Sequence, residues 1–255
     1  MGLSSAMNQM GGAIATFLAG ILATLSWRAV FMVYLMGLVS AVPCLLFLPN
    51  DSISHDRSEE HTLSSTKERP LKKYFIYVAA MFVLMSTFFL YPSNYAVETL
   101  KDSFMSQQAI ALVMAMMDVV AFLGGLCYVR IRKSAGANTH FVAPVLFLLG
   151  YLLLSFAGSA VISVAGSLTV GFANGAGIPC IIAAASHKAG KEAASTVMPL
   201  LSASMYIAQF LSPFLTSLVT SVVGAEISHI PFFWAAILSV VLIGLASVMR
   251  RSETE

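Results

Sequence analysis

Charged residues are scarce in this sequence, and their scarcity excludes an ordinary water-soluble fold. Only 10% of the 255 residues are Asp, Glu, Lys or Arg, whereas soluble domains contain about 25%. Apolar residues make up 58% of the chain, and the mean hydropathy is +0.84. A soluble fold of this length could not bury so much apolar surface, so the solvent for most of the chain must be lipid. The sequence therefore predicts an all-α, polytopic membrane protein.

Motifs for catalysis and for cofactor binding are also lacking. The sequence has no His-Glu-x-x-His, no Gly-x-Ser-x-Gly and no Gly-rich Lys motif that would bind the phosphates of ATP. Cys44, Cys127 and Cys180 lie in apolar segments at unrelated spacings, which is typical of small apolar side chains rather than of disulfides or a metal site. No basic stripe interleaves with aromatic residues, as nucleic-acid binding would require. We therefore expect no enzyme, no cofactor, no metal and no nucleic-acid partner.

The most polar stretch, residues 50–73, divides the chain into two apolar parts. Such a stretch cannot bury enough apolar surface to fold by itself, so it predicts a solvated linker. The chain is thus divided into residues 1–49, the linker at 50–73, and residues 74–255. The linker holds ten charged residues: Asp51, Asp56, Arg57, Glu59, Glu60, Lys67, Glu68, Arg69, Lys72 and Lys73.

Long apolar segments on either side of the linker predict about eight membrane-spanning helices. They lie at about residues 3–25, 29–48, 74–92, 107–129, 141–157, 160–186, 195–223 and 231–249. Eight crossings put both termini and every second connection on one side of the membrane. That side has twelve cations: Arg57, Lys67, Arg69, Lys72, Lys73, Arg130, Arg132, Lys133, Lys188, Lys191, Arg250 and Arg251. The other side has only Arg28 and Lys101, so the positive-inside rule predicts a plasma or inner membrane protein with a cytosolic linker and cytosolic termini.

Small residues recur at every fourth position of the first predicted helix. They form two neighbouring stripes, Gly11, Ala15 and Ala19 beside Gly12, Thr16 and Gly20. Such stripes are typical of helices that pack closely in lipid. A shift of 197 residues without a gap aligns this helix with the seventh, placing Gly11, Ala15, Ala19 and Gly20 on Ala208, Ser212, Thr216 and Ser217. The repeat indicates two related halves, a plan known from transporters. In that plan the chain would begin at the fifth helix of the first half and would lack four helices.

Several stretches, in chain order, resemble motifs of the major facilitator superfamily (MFS). Residues 11–20 resemble the fifth-helix Gly-x3-Gly-Pro-x2-Gly-Gly motif of its drug:proton antiporter branch, and residues 26–31 resemble the entry to the sixth helix. Residues 124–133 resemble the cytosolic loop motif between helices eight and nine. In this motif Gly124, Leu126, Arg132 and Lys133 fit, whereas Tyr128 replaces the usual Asp and Ile131 the usual Gly. Residues 171–179 and 202–213 resemble the tenth and eleventh helices. The resemblance implies that the chain covers helices five to twelve of an MFS bundle.

Asp118 is the only acidic residue well inside a predicted helix. A carboxylate at the centre of a bilayer costs about 2.5–3.5 kcal/mol on insertion scales. Asp118 shares a helical face with Met114, Ala121 and Gly125, so we expect it to point at packed protein or a wet cavity rather than at lipid. It is either a coupling site for a proton or another cation, or a protonated, hydrogen-bonded structural group.

Other polar residues lie inside the predicted helices and seek either a partner or a cavity. Tyr206, Gln209 and Pro213 recur on one face, and Pro213 can bend its helix. The resemblance places such helices around a central cavity, which makes the following residues candidates for substrate contact: Asn8, Gln9, Asn174, Tyr206 and Gln209. Interhelical hydrogen bonding is the alternative. Packing or gating is expected of Gly11, Ala15, Ala19, Gly20 and Pro213. Interfacial anchoring is favoured over an extracellular gate for Tyr91 and Tyr95.

Two functions are consistent with these patterns. The resemblance implies a secondary active transporter that moves a small solute or a drug-like compound by alternating access, with proton coupling through Asp118. Its partners would be the lipid bilayer, the small-molecule substrate and protons. The alternative is a non-transporting multi-pass membrane protein with a role in assembly or regulation, which the four absent helices would favour.

Overall fold

A computed structural model describes residues 2–47, 74–223 and 229–254, and these residues fold almost entirely as helices. The α-helices are α1 (Gly2–Leu25), α2 (Met36–Phe47), α3 (Phe75–Lys101), α4 (Gln107–Ala135), α5 (Thr139–Ser155), α6 (Ala160–Val223) and α7 (Ile230–Thr254). Two 3₁₀ helices, Ala29–Leu35 and Gly136–Asn138, precede α2 and α5. The described residues contain no β-strand, which confirms the predicted all-α class. The predicted linker at 50–73 lies outside the described residues.

Helix α6 is two membrane-length helices in sequence. Its 64 residues would rise about 96 Å as one straight helix, roughly three times the thickness of the hydrocarbon layer. The chain changes direction at Gly190, whose φ of 65° lies in the left-handed region that glycine adopts without steric cost. We call the two apolar parts α6a (Ala160–Gly190) and α6b (Thr196–Ser221). They correspond to the predicted spans at 160–186 and 195–223.

Five apolar stretches of the described chain are long enough to cross a membrane: Phe75–Lys101, Gln107–Ser155, Ala160–Gly190, Thr196–Ser221 and Ile230–Ser252. Because Gln107–Ser155 contains both α4 and α5, these stretches account for every span predicted after the linker. The predicted single helix at 29–48 differs, since a 3₁₀ helix leads into an α2 of only 12 residues. Together they rise about 32 Å, close to the hydrocarbon thickness. No residue of this 3₁₀ helix is buried, so tertiary packing does not impose α-helical geometry there.

Helices α3 to α7 enclose an aromatic core. α6 packs on α3, α4 and α5, while α7 packs on α3 and α5. Tyr91 and Tyr95 are fully buried, with ring centroids 4.6 Å apart, so the expectation that they anchor the protein at the membrane interface is wrong. The Tyr95 hydroxyl lies 2.9 Å from the Ser163 hydroxyl. Because this polar group has a partner inside the bundle, the ring does not need to reach the headgroups.

The two ends of the bundle carry different charges. At one end lie the basic residues Arg130, Arg132, Lys133, Lys188, Arg250 and Arg251. The Lys188 ammonium donates to the Ser252 carbonyl there. At the other end Glu98 accepts hydrogen bonds from Lys101 Nζ at 2.6 Å and from the His229 backbone at 2.9 Å. Alternating membrane crossings require these basic residues to lie at the same end of the bundle, and they do. The assignment of that end to the cytosol stays a prediction.

Candidate functional site

A hydrogen bond joins α1 to α4 through Asp118, whose carboxyl group lies near the middle of α4. Thr16 Oγ1 donates to Asp118 Oδ2 at 3.0 Å, and both side chains are half-buried. A Cβ atom added at Gly12 would lie 4.0 Å from the same oxygen. Gly12 therefore lies on the face of α1 next to the carboxyl group, one helical turn before Thr16.

The stripe of α1 that faces α4 is Gly12, Thr16 and Gly20. A Cβ atom added at Gly20 would lie 3.0 Å from the Ala111 side chain, whereas one added at Gly11 would meet nothing within 4 Å. Gly11 is exposed. Close packing on α1 therefore uses the second of the two small stripes, which is rotated about 100° from the first.

The Thr16 hydroxyl can accommodate both protonation states of Asp118. A hydroxyl group supplies one donor hydrogen and two acceptor lone pairs. It donates to a carboxylate, as here, and it can accept from a protonated carboxyl group without a change of partner. The geometry is thus compatible with a coupling site and with a structural hydrogen bond. The sequence does not identify Thr16 as the partner of Asp118; its only signal is a hydroxyl group within the stripe of small residues.

Asn174 lies in the middle of α6a and is 1% exposed. Its Oδ1 atom has no hydrogen-bond partner among the described residues, and an unpaired buried polar group costs about 1–3 kcal/mol. The neighbouring Gly175 packs directly against the α4 backbone, where an added Cβ would lie 1.8 Å from the Ala121 carbonyl oxygen. Asn174 is therefore enclosed between helices in this conformation instead of lining an open cavity wall.

Tyr206, Gln209 and Pro213 share one face of α6b, as the spacing predicts, and all three are exposed. Tyr206 is 63% exposed. The opposite face packs on the bundle, with Ala208 and Ser212 buried. The polar face of α6b is consequently uncovered in the described chain. Asn8 and Gln9 belong to α1 by their backbone, and their side chains lie outside the description.

The internal repeat relates this uncovered face to the α1–α4 interface. The shift of 197 residues that aligns α1 with α6b places Thr16 on Pro213 and Gly12 on Gln209. In α1 this stripe contacts α4, whereas the equivalent residues of α6b, Gln209, Pro213 and Ser217, are exposed. The two stripes that the predicted repeat aligns therefore lie in different environments, one packed and one exposed.

The residues of the predicted loop motif lie in two different environments. Gly124 is buried at the α4–α6a interface, where an added Cβ would lie 2.6 Å from the Phe172 carbonyl oxygen. Arg132 and Lys133 are exposed in the last turn of α4. The glycine serves helix packing, and the cations lie at the basic end of the bundle. No group of three His, Cys, Asp or Glu side chains in the described part of the chain is placed to hold a metal ion.

Comparison with known proteins identifies the family. A sequence model described as the Major Facilitator Superfamily matches residues 1–213. No curated protein and no solved structure matches the chain. The match agrees with the apolar helices, the repeat and the closely packed glycines, and it makes the chain a multi-pass membrane protein. The chain belongs to the Major Facilitator Superfamily, a family of transporters.

Proposed function

We propose that this chain is part of a secondary active transporter that moves a small solute or drug-like compound by alternating access, with Asp118 as its proton-coupling group. The observation that carries the proposal is the Thr16–Asp118 hydrogen bond of 3.0 Å. It joins a helix before the predicted linker to a helix after it. In alternating access the two halves of a transporter move relative to one another, so a titratable bond between the two parts links proton binding to that movement.

The energy of such a bond is large enough to bias the movement. A hydrogen bond to a charged group contributes about 1.5–3 kcal/mol, which corresponds to a roughly ten- to hundred-fold change in an equilibrium. A ligand shifts a conformational equilibrium only by its differential affinity for the two states. A proton that strengthens or weakens the Asp118 contact has such a differential effect.

The uncovered face of α6b is the proposed substrate surface. Tyr206 and Gln209 present an aromatic ring and an amide side by side, which suits a compound with apolar and polar parts. The α1 residues Asn8 and Gln9 remain candidates for substrate contact, and so does Asn174 in a conformation that opens the contact between α4 and α6a. On the family plan, α1 would be the fifth helix and α7 the twelfth, and the helices of the first half would cover this face. The cation count supports cytosolic termini in the plasma or inner membrane.

Transport by the product of the intact gene tests the coupling role. A panel of drug-like compounds is first screened for movement across vesicles that contain the protein. Asp118→Asn should then abolish accumulation driven by a pH gradient while substrate exchange at equal concentrations continues, because exchange needs no net proton movement. Asp118→Glu, which keeps a titratable group, is the matched control. Undiminished proton-driven accumulation by Asp118→Asn would remove Asp118 from the mechanism.

A second candidate is a non-transporting membrane protein with a role in assembly or regulation. The uncovered α6b face favours it, because an exposed polar stripe in lipid calls for a protein partner. We expect the 255-residue chain alone to give no flux in liposomes, since one wall of the cavity would be absent. Substrate-dependent flux by this chain would contradict that expectation. Absence of flux from the intact gene product, with a stable complex retained on purification, would favour the second candidate.

A further inference from the structure

A cavity of about 230 Å³ opens at the basic end of the bundle, away from the proposed transport site. Its walls come from the last turns of α4, the 3₁₀ helix Gly136–Asn138, the start of α5 and the middle of α6a. The polar side chains around it belong to Tyr128, Arg132, Thr139, His140 and Cys180. Asp118 lies fourteen residues before Arg132 on α4, a distance of about 21 Å along the helix. The cavity is therefore separate from the carboxyl group assigned to proton coupling.

The cavity is electropositive. Arg132 carries a permanent charge on a planar guanidinium, whose fork of donors matches carboxylate and phosphate oxygens. The ion pairs Lys101–Glu98 and His229–Asp102 lie at the opposite end of the bundle and do not involve Arg132. Among the described residues that line the cavity there is no Asp or Glu. The positive charge of Arg132 therefore faces no carboxylate group within the described cavity wall.

His140 and Cys180 line both this cavity and a smaller apolar crevice. The Nδ1 atom of His140 lies 3.6 Å from Cys180 Sγ, so the pair lies where the two spaces meet. The crevice, lined by residues such as Leu84 and Leu242, has a volume of only about 20 Å³. It has no room for an acyl chain, so a ligand must end at the His140–Cys180 pair. The cavity therefore fits a compact polar group and not a hydrocarbon tail.

We propose that this cavity binds a phosphate monoester group, presented by an anionic lipid headgroup or by a soluble phosphate compound. A monoester carries a charge of about −1.5 to −2 near neutral pH. Arg132 supplies a permanent positive charge, and the imidazole ring of His140 adds a second nitrogen-bearing group to the same cavity wall. The site lies at the end of α4, at the level where a membrane helix meets the headgroups, which makes it accessible from both sources.

Binding to the purified 255-residue chain tests this assignment. The chain is placed in phosphatidylcholine nanodiscs and titrated with inorganic phosphate, and separately in nanodiscs that contain phosphatidic acid. Thermal stabilisation and retention of lipid in native mass spectrometry are measured. Arg132→Gln and His140→Gln should each weaken the interaction at least about tenfold, as expected for loss of a charge-assisted hydrogen bond. Arg130→Gln is the matched control, because Arg130 is exposed two residues away and does not line the cavity.

Each outcome of this experiment decides something. Stabilisation by phosphatidic acid but not by inorganic phosphate assigns the site to a lipid headgroup, and the reverse assigns it to a soluble phosphate. Stabilisation by both probes supports recognition of the phosphate group itself, whichever molecule carries it. An equal loss in Arg130→Gln would show general attraction to a basic surface and would overturn the proposal. So would binding that is unchanged in Arg132→Gln and His140→Gln, or no binding of either probe. None of these outcomes depends on transport activity.

Discussion

The contact between Gly175 and Ala121 allows a sharp test of how α4 and α6a pack. A Cβ atom at Gly175 would lie 1.8 Å from the Ala121 carbonyl oxygen, and one at Gly171 would lie 2.4 Å from the Met117 carbonyl oxygen. Both obstacles are backbone atoms, which cannot rotate away as a side chain can. Gly175→Ala therefore forces the two helices apart by more than about 1 Å before the atoms reach an acceptable separation.

The expected cost is that of overpacking a tight interface, about 1–3 kcal/mol. For a chain of this size such a change lowers Tm by about 2–12 °C. The assay is thermal unfolding of the detergent-solubilised protein followed by circular dichroism. Gly244→Ala is the matched control, since Gly244 lies inside α7 and an added Cβ there would meet nothing within 4 Å. That control should be neutral or slightly stabilising, because alanine favours a helix over glycine by up to about 1 kcal/mol.

The comparison of the two glycine variants separates packing from propensity. If Gly175→Ala unfolds at the temperature of the unmodified chain, the close approach of α4 and α6a is wrong. If both variants lose stability equally, the loss comes from a general effect of alanine and not from the interface. Only a selective loss at Gly175 supports the packing described above.

Further substitutions test other parts of the structure. Thr16→Val removes the hydroxyl that bonds Asp118 and should weaken proton-driven transport, whereas Thr16→Ser should retain it; equal transport by both variants would contradict the role of the bond. Glu98→Ala leaves the His229 backbone amide without its 2.9 Å acceptor and should destabilise the chain by about 1–3 kcal/mol, measured as a fall in Tm. Gly190→Ala should cost about 1–3 kcal/mol, because φ 65° with ψ −177° is a backbone conformation essentially restricted to glycine, although an added Cβ there has open space. An unchanged Tm would show that the chain need not bend at this residue.

Tyr91 and Tyr95 show where sequence reasoning fails in a membrane helix. Their position near the predicted outer end of a span favours interfacial anchoring. In the structure α3 continues to Lys101, so both tyrosines lie several residues further inside than the predicted boundary at residue 92 suggests. Hydropathy alone places the end of a helix where polar residues begin. Because the polar hydroxyls of Tyr91 and Tyr95 are buried inside the bundle, the predicted end of the helix falls too early in the chain.

The sequence by itself determined that the chain is lipid-soluble and helical, and it predicts a polar linker at residues 50–73. It also determined that basic residues gather on one side, because hydrophobic length and charge are properties of the chain read in one dimension. The tertiary structure alone decided which side of each helix is covered: that Gly12 and not Gly11 faces α4, that Thr16 is the partner of Asp118, and that Arg132 and His140 line one cavity. The reason is that lipid and protein interior are equally apolar, so hydrophobicity does not distinguish a packed face from a lipid-exposed one. The rotation of each helix about its axis is therefore set by shape and hydrogen bonding with its neighbours, which exist only once the bundle has formed.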